Sequence, residues 1–420
     1  MTDFTSAKMD DYRLMLAGRE LVPVMQGGMG VNISTKAMAL AVAHAGGIGH
    51  VSDAMLPDLA DRLFETGFTK MKAKFCRAVD KMAGYAGFEF PLDDVRAAAK
   101  TYLGDVMAGK TGPGLVFVNV MEKLTMNDSA ATLKARLLGA LDAGIDGISL
   151  SAGLHTSSFA MMENHPRFRD AMLGIVVSSS RALNLFLRRS AKTGRLPDYV
   201  VVEGPLAGGH LGFGLNTWQS ANLFDIVKEV KTYLAEKELS IPVLAAGGIF
   251  TGTDGVRLMD AGADGIQVAT RFTVAKESGL PDAVKDRYFE AKAEDVVVNG
   301  ISPTGYPMRM LTASPAIGAS MKPQCEAYGY MLAKGECSYL KEYEKAVSEG
   351  RAHEGICGKT CLCTQMRNYK LWTVGATADR LKETSAKDRN GHWIYPSTRE
   401  IFDDYRYGVN DEVKARRRTE

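Results

Sequence analysis

The histidine at position 210 has the sequence context of a catalytic group. It ends the stretch Val-Val-Val-Glu-Gly-Pro-Leu-Ala-Gly-Gly-His (residues 200–210), whose apolar, β-branched start predicts a buried parallel strand. His210 would then lie in a turn at the C-terminal end of that strand, where parallel-sheet enzymes carry their chemistry. Imidazole titrates near neutral pH and can take or give a proton there. Although a single histidine is more often structural, this position favours a functional role for His210.

Glu203 and a set of glycines surround this histidine. Glu203 ends the predicted strand, where its carboxylate would either accept a hydrogen bond from a ligand or bond the local backbone. Gly208 and Gly209 directly precede His210. A residue without a Cβ atom lets the backbone lie close to a flat ligand and adopt positive φ angles. We therefore expect a ligand with a planar face beside this turn.

A second group of candidate ligand-binding residues follows two later predicted strands. Gly247 and Gly248 come after one strand, and the run Ala269-Thr270-Arg271 comes after the next. In barrels, the last two loops commonly bind phosphate through backbone N–H groups. Thr270 offers a hydroxyl donor and Arg271 a positive charge. The alternative is that the paired glycines only turn the chain.

Strands and helices that could position these residues alternate along the chain. The predicted strands cover residues 22–25, 48–52, 115–120, 147–151, 175–178, 199–202, 241–246 and 266–269. Helical patterns lie between them, the first opened by Ser34 and the others over residues 128–143, 182–192, 221–236 and 253–261. Eight such units predict an α/β fold of the TIM (β/α)8 barrel type. An open doubly wound sheet gives the same local pattern.

The residues at the strand ends favour the closed barrel. Residues unusual for a buried strand stand at or near the C-terminal ends: Gln26, Asn119, Ser151, Ser178, Glu203, Gly247 and Gln267. Such groups converge only if the sheet closes. Gly28-Met29-Gly30 only partly matches the dinucleotide-binding fingerprint, and Gly358-Lys359-Thr360 lacks the upstream glycine of a phosphate-binding loop.

Composition restricts the possible partners and compartments. Of the 420 residues, 51 are Lys or Arg and 49 are Asp or Glu, so a net charge of +2 provides no general attraction for nucleic acid or an anionic membrane. No run of eighteen apolar residues predicts a membrane helix, and the N terminus has no secretory pattern. Six cysteines in a chain of this length do not form a disulfide framework. We predict a cytoplasmic protein with a small-molecule substrate.

The barrel pattern does not extend over the whole chain. We predict a barrel domain over residues 1–310, with a helical insertion at about 56–110, and a mainly helical C-terminal extension over residues 311–420. The extension carries five cysteines: Cys325, Cys337, Cys357, Cys361 and Cys363. Thiolates could hold an iron–sulfur cluster or zinc, but this spacing matches no standard ligand pattern. We favour reduced cysteines packed in a helical cap, and Cys76 buried alone, and we predict no metal site.

Four ordered stretches resemble the nitronate monooxygenase family, formerly called 2-nitropropane dioxygenases. These are Gln-Gly-Gly-Met at 26–29, Glu-Gly-Pro-Leu-Ala-Gly-Gly-His at 203–210, Pro-Val-Leu-Ala-Ala-Gly-Gly-Ile at 242–249 and Gly-Ala-Asp-Gly-Ile-Gln-Val-Ala-Thr-Arg-Phe at 262–272. The resemblance continues through Ser-Pro-Thr-Gly at 302–305 and Pro-x-Arg at 307–309. The same motifs are equally similar to the flavin-dependent enoyl-ACP reductase, so they identify a superfamily and not one reaction.

The resemblance implies an FMN-binding barrel and assigns roles to particular residues. The backbone of Gly27, Gly28 and Met29 would lie against the isoalloxazine, and Asn119 would hydrogen-bond its polar edge. Ser178 and Glu203 would line the ribityl side. The ribityl chain and phosphate would be held by Gly208, Gly209, Gly247, Gly248, Ala269 and Thr270. Gln26 and Gln267 complete the predicted cofactor-binding set, and His210 matches the family's catalytic histidine, as a base or a substrate-positioning group.

From these residues we predict an FMN-dependent oxidoreductase of nitronate monooxygenase type, which oxidises alkyl nitronates or nitroalkanes with O2. The first alternative is a flavin enoyl-thioester reductase that uses NAD(P)H and meets an acyl carrier protein. The second is a non-catalytic barrel that serves as a scaffold; a homo-oligomer fits any of these. Leu206 stands where the family usually has the glutamate of Glu-Ala-Gly-Gly-His, so one polar contact is missing.

Overall fold

The computed structural model describes residues 7–70, 74, 91–122, 124–125, 128–319, 321, 323, 331–332, 337–351, 356, 358–411 and 413. Three of the cysteines singled out above, Cys76, Cys325 and Cys357, lie outside these residues, as does most of the region 71–90 of the predicted insertion. Over the described ranges, no helix combines the length and the apolar character needed to cross a membrane.

The strands, in chain order, are β1 Leu14–Leu16, β2 Arg19–Leu21, β3 Val24–Gln26, β4 Ile48–Ser52, β5 Leu115–Met121, β6 Leu124–Thr125, β7 Gly147–Ser151, β8 Met172–Val177, β9 Tyr199–Glu203, β10 Gly209–His210, β11 Val243–Ala246, β12 Gly265–Val268, β13 Val296–Asn299, β14 Met308–Leu311 and β15 Met331–Leu332. The α-helices are α1 Lys36–His44, α2 Leu56–Phe64, α3 Leu92–Ala108, α4 Ser129–Asp142, α5 Ser158–Met162, α6 Ser180–Ser190, α7 Leu223–Glu236, α8 Gly252–Asp260, α9 Asp282–Phe289, α10 Ser338–Ser348, α11 Leu362–Arg367 and α12 Thr398–Tyr407. Short 3-10 helices cover Met9–Asp11, Pro166–Phe168, Ala191–Thr193, Trp218–Ser220, Thr270–Val274, Ala293–Asp295 and Ala376–Thr384.

Eight parallel strands close into a barrel, as the sequence predicts. The order around the barrel is β3, β4, β5, β7, β8, β9, β11 and β12, and β12 pairs with β3 to complete the ring. Side chains alternate across each strand, so that Phe117 and Tyr199 fill the interior while Val116 and Val200 pack against the surrounding helices. Both faces of every strand are thereby buried, which explains the nearly continuous apolar runs in the sequence.

Helix starts follow local capping. Asp128, Ser179 and Thr251 each accept a hydrogen bond from the backbone N–H of the third residue that follows, at the starts of α4, α6 and α8. The cap of α1 differs from the prediction, because Thr35 accepts from the N–H of Met38 while Ser34 is fully buried and bonds the preceding loop.

A hairpin that the sequence analysis did not predict closes the N-terminal end of the barrel. Strands β1 and β2 pair antiparallel. Their apolar residues Leu14, Leu16 and Leu21 are buried in one cluster with the interior residues of the barrel strands. The opposite end, where the strands terminate, is therefore the only barrel end that the described residues leave for a ligand.

Helix α12 occupies the place of the eighth barrel helix. It contacts α1 and α8, the helices that flank the junction of the last and first strands. The ring of Phe402 lies so close to Gly47 that a Cβ atom there would be 2.4 Å away. Residues between the last barrel strand and α12 thus form a long insertion in the final strand–helix unit. The domain boundary at residue 310 stays a prediction, although α12 packs as part of the barrel.

Other parts of this insertion cover the C-terminal end of the barrel. Strands β10, β14 and β13 form a small antiparallel sheet, and β15 pairs with β6, which follows the third barrel strand. An apolar cluster joins Val31 and Met55, from loops after the first two barrel strands, to Met308, Leu362 and Leu371 of the insertion. The cover and the barrel loops therefore share one buried core.

Candidate active site at the barrel mouth

The predicted site residues lie at the C-terminal ends of six barrel strands. They lie within the last three residues of β3, β5, β8, β9, β11 and β12 or in the loops that follow these strands. Because these strands are parallel and closed, their ends gather around one opening. Apart from Gln26 and Gly27, which are buried, every predicted residue is at least partly accessible. The opening is thus lined by the residues singled out from the sequence.

Three polar side chains at this opening make no hydrogen bond to any described residue: Asn119, Glu203 and Gln267. Glu203 and Gln267 both pair in register with Ala246, so they lie at the same level on either side of it. Burial raises the pKa of Glu203 to about 7, which leaves much of this carboxyl group protonated at neutral pH. Two amides and a carboxylic acid offer donors and acceptors that suit the polar edge and hydroxyls of a flavin.

The turns after the seventh and eighth barrel strands present unpaired backbone donors. Among the described residues, the N–H groups of Gly247, Gly248, Ala269 and Thr270 donate to no protein acceptor. Gly247 and Gly248 have φ angles of +101° and +83°, which only glycine adopts without strain. Converging N–H groups of this kind bind phosphate. The donor set therefore fits the phosphate end of a flavin mononucleotide.

His210 is held by a serine from the insertion. Strand β10 pairs with β14, and Nε2 of His210 lies 2.6 Å from Oγ of Ser302, which is fully buried. Oγ of Ser302 in turn lies 2.8 Å from Oγ1 of Thr304. Nδ1 of His210 has no hydrogen-bond partner in the described ranges. Burial lowers the pKa of His210 to about 4, so the imidazole is neutral at neutral pH and can accept a proton.

Gln26 lies below the opening and does not line it. The side chain is fully buried; its Nε2 donates to Oγ of Ser34 at 2.8 Å and to the carbonyl of Gly27, and its Oε1 accepts from the N–H of His50 at 3.0 Å. The side chain therefore bonds within the protein, and the predicted contact of Gln26 with the cofactor stays a prediction. The side chain fixes the first loop from beneath, because an unsatisfied amide in this position would be costly.

Four of the predicted glycines are packed against protein, namely Gly28, Gly208, Gly247 and Gly248. A Cβ atom on Gly28 would lie 2.4 Å from Cβ of Asn119, and one on Gly248 would lie 2.9 Å from Cδ1 of Leu206. These glycines therefore bring neighbouring loops together around the opening. Ser178, predicted on the ribityl side, donates to the carbonyl of Gly212 at 3.1 Å and so joins the loop that follows His210.

Arg271 does not supply charge to the opening. Its guanidinium is buried and pairs with Asp404 of α12 at 2.6 Å, between the rings of Phe250 and Tyr405. The expectation of an arginine at the phosphate is wrong for this reason. The unpaired backbone N–H groups and the Thr270 hydroxyl remain as the predicted donors to the phosphate.

Ser302 and Arg309 are functional candidates to which the sequence analysis gave no role. Arg309 is buried and donates from Nη1 to the carbonyl of Ala207 at 2.8 Å and to that of Pro205, which fixes the turn before His210. Desolvation lowers its pKa to about 10. The signal was the Ser-Pro-Thr-Gly and Pro-x-Arg pattern, but only the pairing of β14 with β10 connects it to His210.

The structure provides no support for a metal at the cysteines that it describes. Within the described ranges, no three His, Cys, Asp or Glu side chains are grouped to hold a metal ion. Cys361 and Cys363 are buried and Cys337 is half-buried. Burial raises the pKa of Cys337, so it is a protonated thiol at neutral pH.

Comparisons with known proteins place the chain in a family. The family model described as nitronate monooxygenase matches residues 115–365. A Mycobacterium tuberculosis protein named (3aS,4S,5R,7aS)-5-hydroxy-7a-methyl-1-oxo-octahydro-1H-indene-4-carboxyl-CoA dehydrogenase is 33% identical over 177 residues, which are 41% of this chain and 46% of that protein, so the match spans less than half of that relative. A "probable nitronate monooxygenase" of Staphylococcus saprophyticus is 25% identical over 290 residues, 68% of this chain and 74% of that protein.

A solved structure supports the fold. FabK from Thermotoga maritima superimposes with a TM-score of 0.55 at 18% identity, over 96% of this chain and 95% of that chain. The closed barrel, the unpaired backbone donors at its mouth and the family match are consistent with one another. The chain belongs to the nitronate monooxygenase family, whose members are flavin-dependent oxidoreductases.

Proposed function

We propose that this protein is an FMN-dependent enzyme that oxidises alkyl nitronates or nitroalkanes with O2. The observation that carries the proposal is His210, a neutral imidazole at the barrel mouth with one nitrogen held by Ser302 and the other unpaired. A neutral imidazole can take the acidic α-proton of a nitroalkane, whereas an anionic nitronate needs no base.

FMN is the flavin that the donors at the mouth favour. The unpaired N–H groups after β11 and β12 suit a terminal phosphate, and Asn119, Glu203 and Gln267 suit the ring edge and ribityl chain. When bound, the flavin would accept electrons from the substrate and deliver them to O2. The protein's own part is to hold the proton acceptor and the ring edge in place.

Ser302 and the apolar cover around it would orient His210 and keep it neutral for the proton transfer from the substrate. The hydrogen bond to Nε2 fixes the ring orientation, and with Nε2–H donating to Oγ of Ser302, Nδ1 carries the lone pair that receives a proton. Apolar residues of the cover, among them Met55, Met308 and Met310, are buried beside the loops at the mouth. Exclusion of water from this side would keep the imidazole neutral until substrate binds.

Stopped-flow spectroscopy tests the proposal. The purified protein is reconstituted with FMN and mixed anaerobically with a nitronate, with a neutral nitroalkane, or with NADH or NADPH. We expect the flavin absorbance to bleach with the first two and to return on addition of O2. Rapid bleaching by a nicotinamide, with none by either nitro compound, would rule the proposal out.

A second candidate function is oxidation or reduction of an acyl thioester. The observation in its favour is the 33% identical relative named as a carboxyl-CoA dehydrogenase. The enzyme would then take a coenzyme A or acyl carrier protein thioester, with NAD(P)H as a donor in the reducing direction. Bleaching by NAD(P)H that reverses on addition of an enoyl thioester would select this function.

A further inference from the structure

The segment from Trp372 to Ala376, in the predicted extension, is fixed beside the strand that carries His210. The carbonyl of Trp372 accepts from the N–H of Leu311 at 2.9 Å, and Thr373 bridges Met310 antiparallel. These bonds add the segment to the edge of β14 that also pairs with β10, while β13 occupies the opposite edge. Its position relative to the barrel mouth is therefore set by a sheet.

From that sheet the segment crosses the turn after the sixth barrel strand. The N–H of Ala376 donates to the carbonyl of Leu206 at 3.0 Å. A Cβ atom on Gly208 would lie 2.5 Å from the carbonyl carbon of Val374, so a larger residue at position 208 would displace the segment. Gly208 is one of the residues that the family resemblance assigns to the ribityl chain and phosphate.

The same segment reaches the turn after the eighth barrel strand. The N–H of Gly375 donates to Oγ1 of Thr270 at 3.2 Å. That hydroxyl accepts one hydrogen bond and donates none within the described residues, so its own hydrogen is left for a further acceptor. It stands next to the unpaired N–H groups of Ala269 and Thr270. A phosphate oxygen is the acceptor that this group of donors suits.

A second contact from the C-terminal region holds the same two turns. Asp404 of α12 pairs with Arg271, the residue after Thr270, and the hydroxyl of Tyr405 donates to the carbonyl of Ile249 at 3.2 Å. Ile249 directly follows Gly247 and Gly248 in the chain. The turns after the seventh and eighth strands are thus held from outside by residues 372–405.

We propose that Gly375 is a positioning residue for the phosphate end of the flavin, and that Trp372–Ala376 forms the outer wall of that subsite. The N–H of Gly375 fixes the Thr270 hydroxyl so that its hydrogen serves the phosphate. The region predicted as a separate extension is then part of the cofactor site. This inference rests on the FMN dependence proposed above.

Paired titrations with FMN and riboflavin test the inference. A Cβ atom on residue 375 would lie 2.5 Å from Oγ1 of Thr270, so Gly375→Ala displaces that hydroxyl. We expect the Kd for FMN, measured by flavin fluorescence on the full-length apoprotein, to rise about tenfold, roughly the worth of one hydrogen bond to a charged group. The Kd for riboflavin, which has no phosphate, should change less than about twofold.

The control is Gly104→Ala, because a Cβ atom there meets no atom within 4 Å. It should leave both constants unchanged. If Gly375→Ala weakens both flavins equally, or neither, the inference is overturned while FMN dependence stands. If wild-type protein does not bind FMN, both the proposed cofactor and the inference fail.

A measurement on wild-type protein covers the case in which Gly375→Ala does not fold. Hydrogen–deuterium exchange of the Gly375 amide is followed with no flavin, with saturating riboflavin and with saturating FMN. We expect FMN to slow this exchange about tenfold relative to riboflavin, because the phosphate holds the acceptor hydroxyl. Equal exchange with both flavins would overturn the inference.

Discussion

At the scale of single residues, the chemistry depends on a histidine that stays neutral. Burial lowers the pKa of His210 to about 4, and Ser302 occupies one of its nitrogens. A protonated imidazole could not accept a substrate proton. The folded environment therefore keeps this group in its basic form over the whole physiological pH range.

Replacing His210 with alanine should separate the two nitro substrates. We expect the rate with a neutral nitroalkane to fall by about 10²- to 10⁴-fold, the usual contribution of a general base, and the rate with a pre-formed nitronate by less than about tenfold. Flavin bleaching rates measure both. His392→Ala, at an exposed position, is the matched control. Equal losses for both substrates would assign His210 to substrate positioning.

Glu203→Gln should change how stability depends on pH. The pKa of Glu203 is raised to about 7, so folding favours the protonated acid. Its contribution to stability is complete below the ordinary pKa near 4.5 and is lost as the pH rises towards 7. The amide cannot ionise, so the free energy of unfolding of the variant should rise relative to that of wild type by about 3 kcal/mol across this pH window. Urea unfolding at pH 4.5 and pH 7.5 measures the difference, and a constant difference would contradict the prediction.

Residue types at the mouth were predictable from sequence because parallel strands bring their ends together. The Gly-Gly-His turn and the unpaired Asn119 and Gln267 are in this class. The role of Gln26 was not predictable. Its amide bonds Ser34 and His50, and hydrogen bonds between distant strands leave no local pattern in the sequence. The pairing of Arg271 with Asp404 could not be predicted for the same reason.

At the scale of elements, polar side chains join the barrel strands from inside. His50 of β4 lies 2.5 Å from Oγ of Ser149 on β7, which lies 2.6 Å from the hydroxyl of Tyr199 on β9. Burial lowers the pKa of His50 to about 4, so this chain of hydrogen bonds is neutral. It couples three strands below the opening.

Ser149→Ala should destabilise the barrel more than its size suggests. The variant leaves a buried imidazole nitrogen and a buried phenol without their shared partner. We expect the free energy of unfolding to fall by about 2 kcal/mol, the cost of unsatisfied buried groups. Ser348→Ala, at the exposed C-terminal residue of α10, is the control and should lower the free energy of unfolding by less than about 0.5 kcal/mol. A loss at position 149 no larger than the control's would show that water replaces the hydroxyl.

Strands and helices of the barrel could be predicted because each has its own hydrophobic period and capping residues. The antiparallel sheet of β10, β13 and β14 could not, because β10 has only two residues and its partner lies about a hundred positions away. The hairpin of β1 and β2 was not predicted because each strand has three residues, too few to show an alternating pattern.

At the scale of the whole molecule, the barrel and the predicted extension share buried contacts. Helix α12 completes the ring of helices, and its Asp404 pairs with Arg271 from the eighth strand's turn. No local pattern distinguishes a helix of the barrel from a helix of an extension. A boundary drawn where the strand–helix alternation ended could therefore not reveal that the last helix returns to the ring.

Asp404→Asn should loosen the last helix from the barrel. The substitution leaves the buried guanidinium of Arg271 without a counter-charge, which typically costs about 3–5 kcal/mol. Urea unfolding with far-ultraviolet circular dichroism measures the loss. Glu383→Gln breaks an exposed ion pair with Arg380 and should cost less than about 1 kcal/mol. Similar losses for both variants would mean that the contact at α12 adds little.

The position of α12 also determines when the barrel can be sealed as the chain is made. All eight strands have been synthesised once Val268 is in place, but the helix that covers the seam between the last and first strands begins only at Thr398. A nascent chain of intermediate length would expose the turn at Gly47, against which Phe402 later packs, and the side of α1 that contacts α12. Such a contact between distant positions forms late. We expect chaperones to bind the ribosome-bound intermediate at this seam and to leave it when α12 emerges.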